Sequence, residues 1–179
     1  MKYSSIHQEI VLACQNGDRK AQFELYRLYS KAMYNLCLRM LRNELDAEDV
    51  LQHSFIDIFS KLNTFRFQSS IGAWIKRIVV NNCINFLKKK RLKFDELKDN
   101  LGHVSDTEDD ASSRYSVAAI QDALLLLPDG YRVVFSLYCM EGYDHQEISE
   151  ILGVSVATSK SQYSRAKQKM RQLLSQSHA

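Results

Sequence analysis

One proline, Pro128, and six glycines in 179 residues leave this chain few places to turn sharply. A sheet protein needs many tight turns, and glycine, proline, asparagine and aspartate make them at fixed offsets. Apolar residues recurring three or four apart dominate instead, which is the period of a helix. The expected fold class is all-α. Apolar residues make up 45% of the chain, too many for a disordered polymer and enough for one good core or two small ones. No apolar run approaches the roughly 18 residues of a membrane span, and no basic-then-apolar leader opens the sequence. Neither membrane insertion nor export is expected, and the cytoplasm is the expected compartment.

The net charge of +3 hides a partition. Residues 1–94 carry 16 basic and 8 acidic groups, residues 95–116 carry 2 and 7, and residues 117–179 carry 6 of each. The middle piece, DELKDNLGHVSDTEDDASSRYS, has few apolar residues and no sustained period. It is expected to be a flexible acidic linker between two small helical domains, 1–94 and 117–179. Such a tether can compete with DNA for neighbouring basic surfaces, or it can simply be solvated.

Cys14, Cys37, Cys83 and Cys139 are widely spaced within apolar helical patterns, where free cysteine behaves as a small buried hydrophobe. His7, His53, His103, His145 and His178 form no ligand pair with one another or with a cysteine. Without a glycine-rich phosphate loop or a nucleophile motif, no metal, cofactor or catalysis is expected.

The last third is the most informative for function. Asp144 and Glu147 fit a D-x-x-E capping pattern, Ile148, Ile151 and Leu152 give the following helix an apolar face, and Gly153 then lets the chain leave sharply. Ser155 offers the cap of a second helix. On that helix Val156, Tyr163, Ala166, Met170 and Leu173 share one side. Ala157, Ser161, Ser164, Arg165 and Gln168 face away, flanked by Thr158, Lys160 and Lys167. Residues 155–174 hold five Lys or Arg and no Asp or Glu, which suits a helix lying in a groove walled by phosphates. An ordinary solvated face is the alternative.

In the first domain, helical periodicity covers residues 6–16, 18–28 and 29–42, with a turn at Asn16-Gly17-Asp18. Asp46, Glu48 and Asp49 place three carboxylates at the positive end of a further helix that should run to about Lys61. Leu51, Phe55, Ile58 and Leu62 point to its core, and Asp49, Gln52, His53 and Ile56 to another side. A loop, TFRFQSSIG, then leads into a helix from about Ala73 to Arg91. Ile75, Val79, Cys83, Phe86 and Leu87 form its apolar face, and Trp74, Arg77, Asn81, Asn85 and Lys88 its opposite stripe. Aromatic, amide and basic groups in one row match a single-strand platform, on which rings stack with unpaired bases and cations hold phosphates.

This order of motifs resembles the extracytoplasmic-function sigma factors of the sigma-70 family over nearly the whole chain. The carrying motifs are DAEDVLQHSFIDIF (46–59), TFRFQSSIGAWIKRIVVNNCINFLKKKR (64–91) and the segment LPDGYRVVF…KMRQLL (127–174). The resemblance implies a factor that binds core RNA polymerase, through its β′ clamp helices and β flap, and directs promoter-specific initiation. On its motifs Asp46, Glu48, Asp49, Gln52 and Phe55 match the clamp-binding helix. Phe65, Arg66, Phe67 and Ser69 match a loop that captures a flipped base, and Trp74, Arg77, Asn81, Asn85 and Lys88 the face on melted −10 DNA. Thr158, Lys160, Ser161, Ser164, Arg165 and Lys167 match the −35 contacts. An anti-sigma factor is the regulatory partner the resemblance implies.

Two departures stand out. Where many members have Thr-Val-Lys-Ser-Arg this chain has Thr158-Ser-Lys-Ser-Gln162, which would change a DNA contact from arginine to glutamine. Ser159 puts a hydroxyl at an apolar position, where it can bond back to the carbonyl of Ser155. A free-standing helix-turn-helix regulator is the alternative function; it leaves the 46–91 block without a role.

Overall fold

Asp18 starts the longest helix among the described residues by accepting from the backbone of Lys20 at 2.8 Å and Ala21 at 3.3 Å. The computed structural model describes residues 7–90 and 115–176, so most of the acidic 95–116 segment lies outside the described residues. The chain divides into two compact units, Met1–Lys89 and Lys90–Ala179.

The first unit holds α1 (Gln8–Gln15), α2 (Arg19–Leu41), α3 (Glu44–Lys61) and α4 (Ile71–Lys89). The sequence periods suggest two helices over 18–42, and the structure joins them. No glycine or proline interrupts 27–30, and Leu25, Met33, Leu36, Cys37 and Met40 keep one buried stripe running through. α2 stops where Arg42 turns left-handed at φ 61° and its N–H reaches the Leu38 carbonyl. Asn43 then caps α3, its side chain accepting from the Asp46 N–H at 2.9 Å. The helix therefore begins at Glu44, with Asp46, Glu48 and Asp49 in its first turns as expected. After a 3-10 turn at Leu62–Thr64, Ser70 caps α4, accepting from Ala73 at 3.2 Å. A Cβ at Gly72 would lie 3.0 Å from the Tyr29 ring of α2, so a larger residue there would have to push that ring aside by a few tenths of an ångström.

α2, α3 and α4 pack pairwise around Leu25, Leu36, Ile58, Ile75 and Ile84, with α1 closing over α2 and the 3-10 turn. Each such side chain contributes about 1.5–3 kcal/mol by leaving water. α4 is buried on a wider arc than expected: Ile71, Val80 and Ile84 join Ile75, Val79, Cys83 and Leu87, while Phe86 is only half-buried. Cys37 and Cys83 meet at the α2–α4 seam with sulfurs 3.7 Å apart. That contact, then burial, pushes the Cys83 thiol well above its usual range.

The second unit holds α5 (Val117–Leu126), α6 (Asp129–Phe135) running on into a π-helical turn (Ser136–Met140), α7 (His145–Leu152) and α8 (Val156–Gln176). Ser116 caps α5, accepting from Ala119 at 3.1 Å. Arg132 is fully buried between α5 and α6, donating to the Leu127 carbonyl at 2.9 Å and pairing with Asp129. Ala123, Leu124, Leu127 and Tyr131 meet Ala166, Met170 and Leu174 of α8 in the core. Three cysteines are buried as expected, but Cys139 is exposed on the π-helical turn.

Candidate nucleic-acid interface

The α7–turn–α8 geometry follows its sequence cues closely. Asp144 accepts from the Glu147 N–H at 2.8 Å while the Glu147 carboxylate accepts from the Asp144 N–H at 2.9 Å, so two orphan donors are satisfied reciprocally. Gly153 ends α7 at φ 74°, a backbone region open to glycine at no steric cost. Ser155 accepts from the Thr158 N–H at 3.0 Å and starts α8.

α8 is rotated slightly from the expected orientation. Its fully buried line is Ser159, Gln162, Ala166, Met170 and Leu174, whereas Val156, Tyr163 and Leu173 are half-buried at its edges. Two readings change as a result. Gln162 faces the core, 4% exposed, so a glutamine here does not stand on a DNA-facing surface. The Ser159 hydroxyl bonds to His145 Nδ1 at 2.9 Å and not to the Ser155 carbonyl. On the outer side Ala157, Lys160 and Ser161 are exposed, and Thr158, Ser164, Arg165 and Lys167 are half-buried. Lys167 lies over the Tyr163 ring at 5.0 Å, which gives it a packing role beside its charge.

In the first unit, Arg77, Asn81, Asn85 and Lys88 are exposed along α4 and Trp74 is half-buried at the head of that row. Trp74 packs on Phe65, ring centroids 5.4 Å apart, and Phe65 on Phe67 at 4.9 Å. Phe65 is 5% exposed and anchors the loop from inside, so its ring is not offered to a ligand. Phe67, Arg66 and Ser69 are exposed. Phe67 sits at φ 57°, a region that a bulky side chain enters at a cost of order 1 kcal/mol and that concentrates at functional sites.

On α3, Asp49, Gln52, His53 and Ile56 form one wall of a groove of about 580 Å³ whose other wall is Asn82, Asn85, Phe86 and Lys89 of α4. Ile56 is 65% exposed, an apolar residue among polar groups. Glu48 is exposed and Asp46 half-exposed. Phe55 stands apart from this set. It is 4% exposed and packs edge-on against Tyr26 at 4.7 Å, so it belongs to the core and not to a contact surface. Asn85, assigned to the DNA-facing stripe, also borders the groove.

Two positioning residues escaped sequence reasoning. Gln15 of α1 donates to the carbonyls of Leu62 at 2.9 Å and Phe65 at 3.4 Å, holding the base of the aromatic loop. Asn82 donates to Ser54 at 3.1 Å and to the Asp57 carboxylate at 3.0 Å, joining α4 to α3. Only the turn signal beside Gln15 hinted at either, since periodicity does not pair residues so far apart in sequence.

The fold defines a two-unit helical protein with a helix-turn-helix in the second unit and, in the first, an exposed row of amide and basic groups headed by a half-buried tryptophan. Its sequence matches the sigma-70 region 2 family over residues 25–93 and the sigma-70 region 4 family over residues 118–170. The ECF RNA polymerase sigma factor SigW of Bacillus subtilis is 30% identical over 172 residues, which cover 89% of this chain and 92% of SigW. The ECF RNA polymerase sigma factor SigM of Mycobacterium tuberculosis is 27% identical over 173 residues, covering 97% and 87%. Among solved structures, the sigma factor RpoE of Bartonella quintana in complex with the anti-sigma factor NepR has the same fold, with a TM-score of 0.56 and 22% identity. That match covers 85% of this chain and 95% of RpoE. The chain belongs to the extracytoplasmic-function sigma factors of the sigma-70 family: it is an RNA polymerase sigma factor.

Proposed function

We propose that this sigma factor binds the β′ clamp helices of core RNA polymerase with the exposed side of α3, holds melted −10 DNA along α4 and the 65–71 loop, and reads −35 DNA with α8. The observation that carries this reading is the placement of the two rows. Each lies on a helix whose opposite side is core, so each is held on a fixed surface. Residues 95–116 act as the tether between the two DNA-binding domains, and the second domain also contacts the β flap. A free-standing regulator would leave the α3 groove and the α4 row unused. An anti-sigma factor as regulatory partner is supported by RpoE, a protein of this fold that is bound by one. A factor that acts on core polymerase would work in the cytoplasm, the compartment expected from the sequence. No helix among the described residues is long and apolar enough to cross a membrane.

The test is whether the purified chain converts core polymerase into a promoter-specific enzyme. Within that assay Arg165→Ala is expected to weaken −35 binding by roughly 1–3 kcal/mol and relax preference at one position, as loss of a base-edge contact does. Lys160, exposed at the same end of α8, is the phosphate control. Lys160→Ala should weaken all sequences about equally and reduce the salt slope by about one unit. Unchanged affinity and preference across a randomised −35 library would remove Arg165 from the interface. Gln52→Ala should lower affinity for core polymerase, measured by competition with a labelled sigma factor, while leaving −35 selectivity of the assembled holoenzyme intact. Equal competition by the variant would place the clamp contact elsewhere.

A further inference from the structure

The joint between α7 and α8 contains a polar pair that packing alone does not require. Ser159 is 0% exposed, at a position on α8 otherwise lined by core-facing side chains. Its hydroxyl lies 2.9 Å from His145 Nδ1, at the first helical position of α7. A buried hydroxyl without an acceptor is costly. Among the described residues, the ring nitrogen is the hydrogen-bond partner the structure gives this hydroxyl. The buried O–H needs an acceptor, and a neutral ring with its proton on Nε2 offers Nδ1 as one. The ring is held in that orientation by Tyr138 of the π-helical turn, stacked at 4.5 Å, and by Tyr163 of α8 at 5.6 Å.

We propose that the Ser159–His145 hydrogen bond, with the hydroxyl donating to a neutral ring, is the pin that sets the recognition helix α8 against its supporting helix α7, and that protonation of His145 reverses it and strands the buried O–H. The inference rests on the reading that α8 recognises −35 DNA. A protonated ring carries N–H groups at both nitrogens, so the Ser159 oxygen would turn to accept from Nδ1–H and its own O–H would be left in the core without an acceptor. Ser159 lies one residue from Lys160 and two from Ser161, so any shift at the pin is passed directly to the residues that meet DNA.

The surroundings resist that protonation. Burial and then the nearby Lys160 lower the affinity of the ring for a proton, opposed by Asp144. The positive end of the α7 dipole acts in the same direction as Lys160. The groups facing the ring are Tyr138 from the π-helical turn, with Cys139 reaching Tyr163 beside it, and Lys160 and Tyr163 from α8, while Lys167 lies over the Tyr163 ring. Asp144 and Glu147 are the carboxylates of its own helix start. Because the folded state takes up this proton less readily than the unfolded chain, the unit loses stability as pH falls below the ordinary histidine value of about 6.5. The loss levels off below the folded-state value.

The consequence runs against the usual trend, in which acid strengthens DNA binding by adding positive charge. The experiment compares wild-type holoenzyme with the His145→Gln holoenzyme, whose amide oxygen can accept from Ser159 at every pH. Affinity for a −35 duplex is measured from pH 7.5 to 5.0. The two are expected to bind within about twofold at pH 7.5, and wild type is expected to fall roughly three- to tenfold relative to the glutamine variant as pH drops. A constant ratio, with −35 preference intact, overturns the pin. Absence of −35 preference in wild type at pH 7.5 removes the recognition reading, and the proposal with it. Should the variant not fold, nitrogen-15 chemical shifts of His145 in the wild-type chain decide the matter. The Nε2–H tautomer, with a titration midpoint that rises in Ser159→Ala, upholds the bond; the Nδ1–H tautomer refutes it.

Discussion

Arg132→Ala is expected to destabilise the second unit by about 3–5 kcal/mol, a large part of the roughly 5–15 kcal/mol that holds a typical domain together. The guanidinium is fully buried, donates to the Leu127 carbonyl and pairs with Asp129, so it joins the end of α5 to the start of α6. Alanine would leave a cavity and a buried carbonyl without its donor. Arg132→Met should lose less, because it fills the space and Asp129, partly exposed, can take up water in place of the lost cation. Hydrogen exchange on the full chain checks both. Amides of α8 should exchange far faster in the alanine variant, whereas those of α2 to α4, in a separate unit, should keep their rates. Wild-type protection of α8 would mean that Arg132 is not a structural link.

Asn81→Ala is expected to cut promoter opening about tenfold while sparing −35 binding, the effect of losing one hydrogen bond worth ~1–2 kcal/mol to a melted base. Asn81 is exposed, so the substitution should change stability by no more than about 0.5 kcal/mol. Unstacking a base step costs a few kcal/mol, more than a small domain binding alone can offset, so core polymerase must take part. Permanganate footprinting of a promoter selected with the holoenzyme reads the outcome. Wild type should expose thymines near −10 only with core present, and the variant should expose few. Full reactivity without core would favour the free-standing regulator, and full reactivity of the variant would take Asn81 off the DNA-facing row.

The sequence made the helices legible wherever a cap and a period agreed. Asp144-x-x-Glu147 with Gly153 and Ser155 was readable because each of those side chains acts within three residues of itself. The unity of α2 is harder to see because an apolar period can be divided anywhere, and only the absence of a breaker at 27–30 argues against a division. The rotation of α8 was hidden for a different reason. Ser159 and Gln162 are polar, so a period drawn through apolar residues passes them by, although both are buried. Phe55 and Phe65 show a similar limit: a motif marks them as important without distinguishing a ring that touches a ligand from one that supports its neighbours. The long-range hydrogen bonds of Gln15, Asn82 and His145 left almost no trace in the sequence.

Asn82 carries one implication for how the assembled enzyme works. Its amide donates to both Ser54 and Asp57, so α3 and α4 cannot slide past each other without breaking two bonds. If α3 meets polymerase and α4 the open strand, as proposed, the two contacts share one rigid piece. A position imposed on α3 would then reach the row from Trp74 to Lys88 without an intervening hinge, and that row would become a fixed fitting of the polymerase itself.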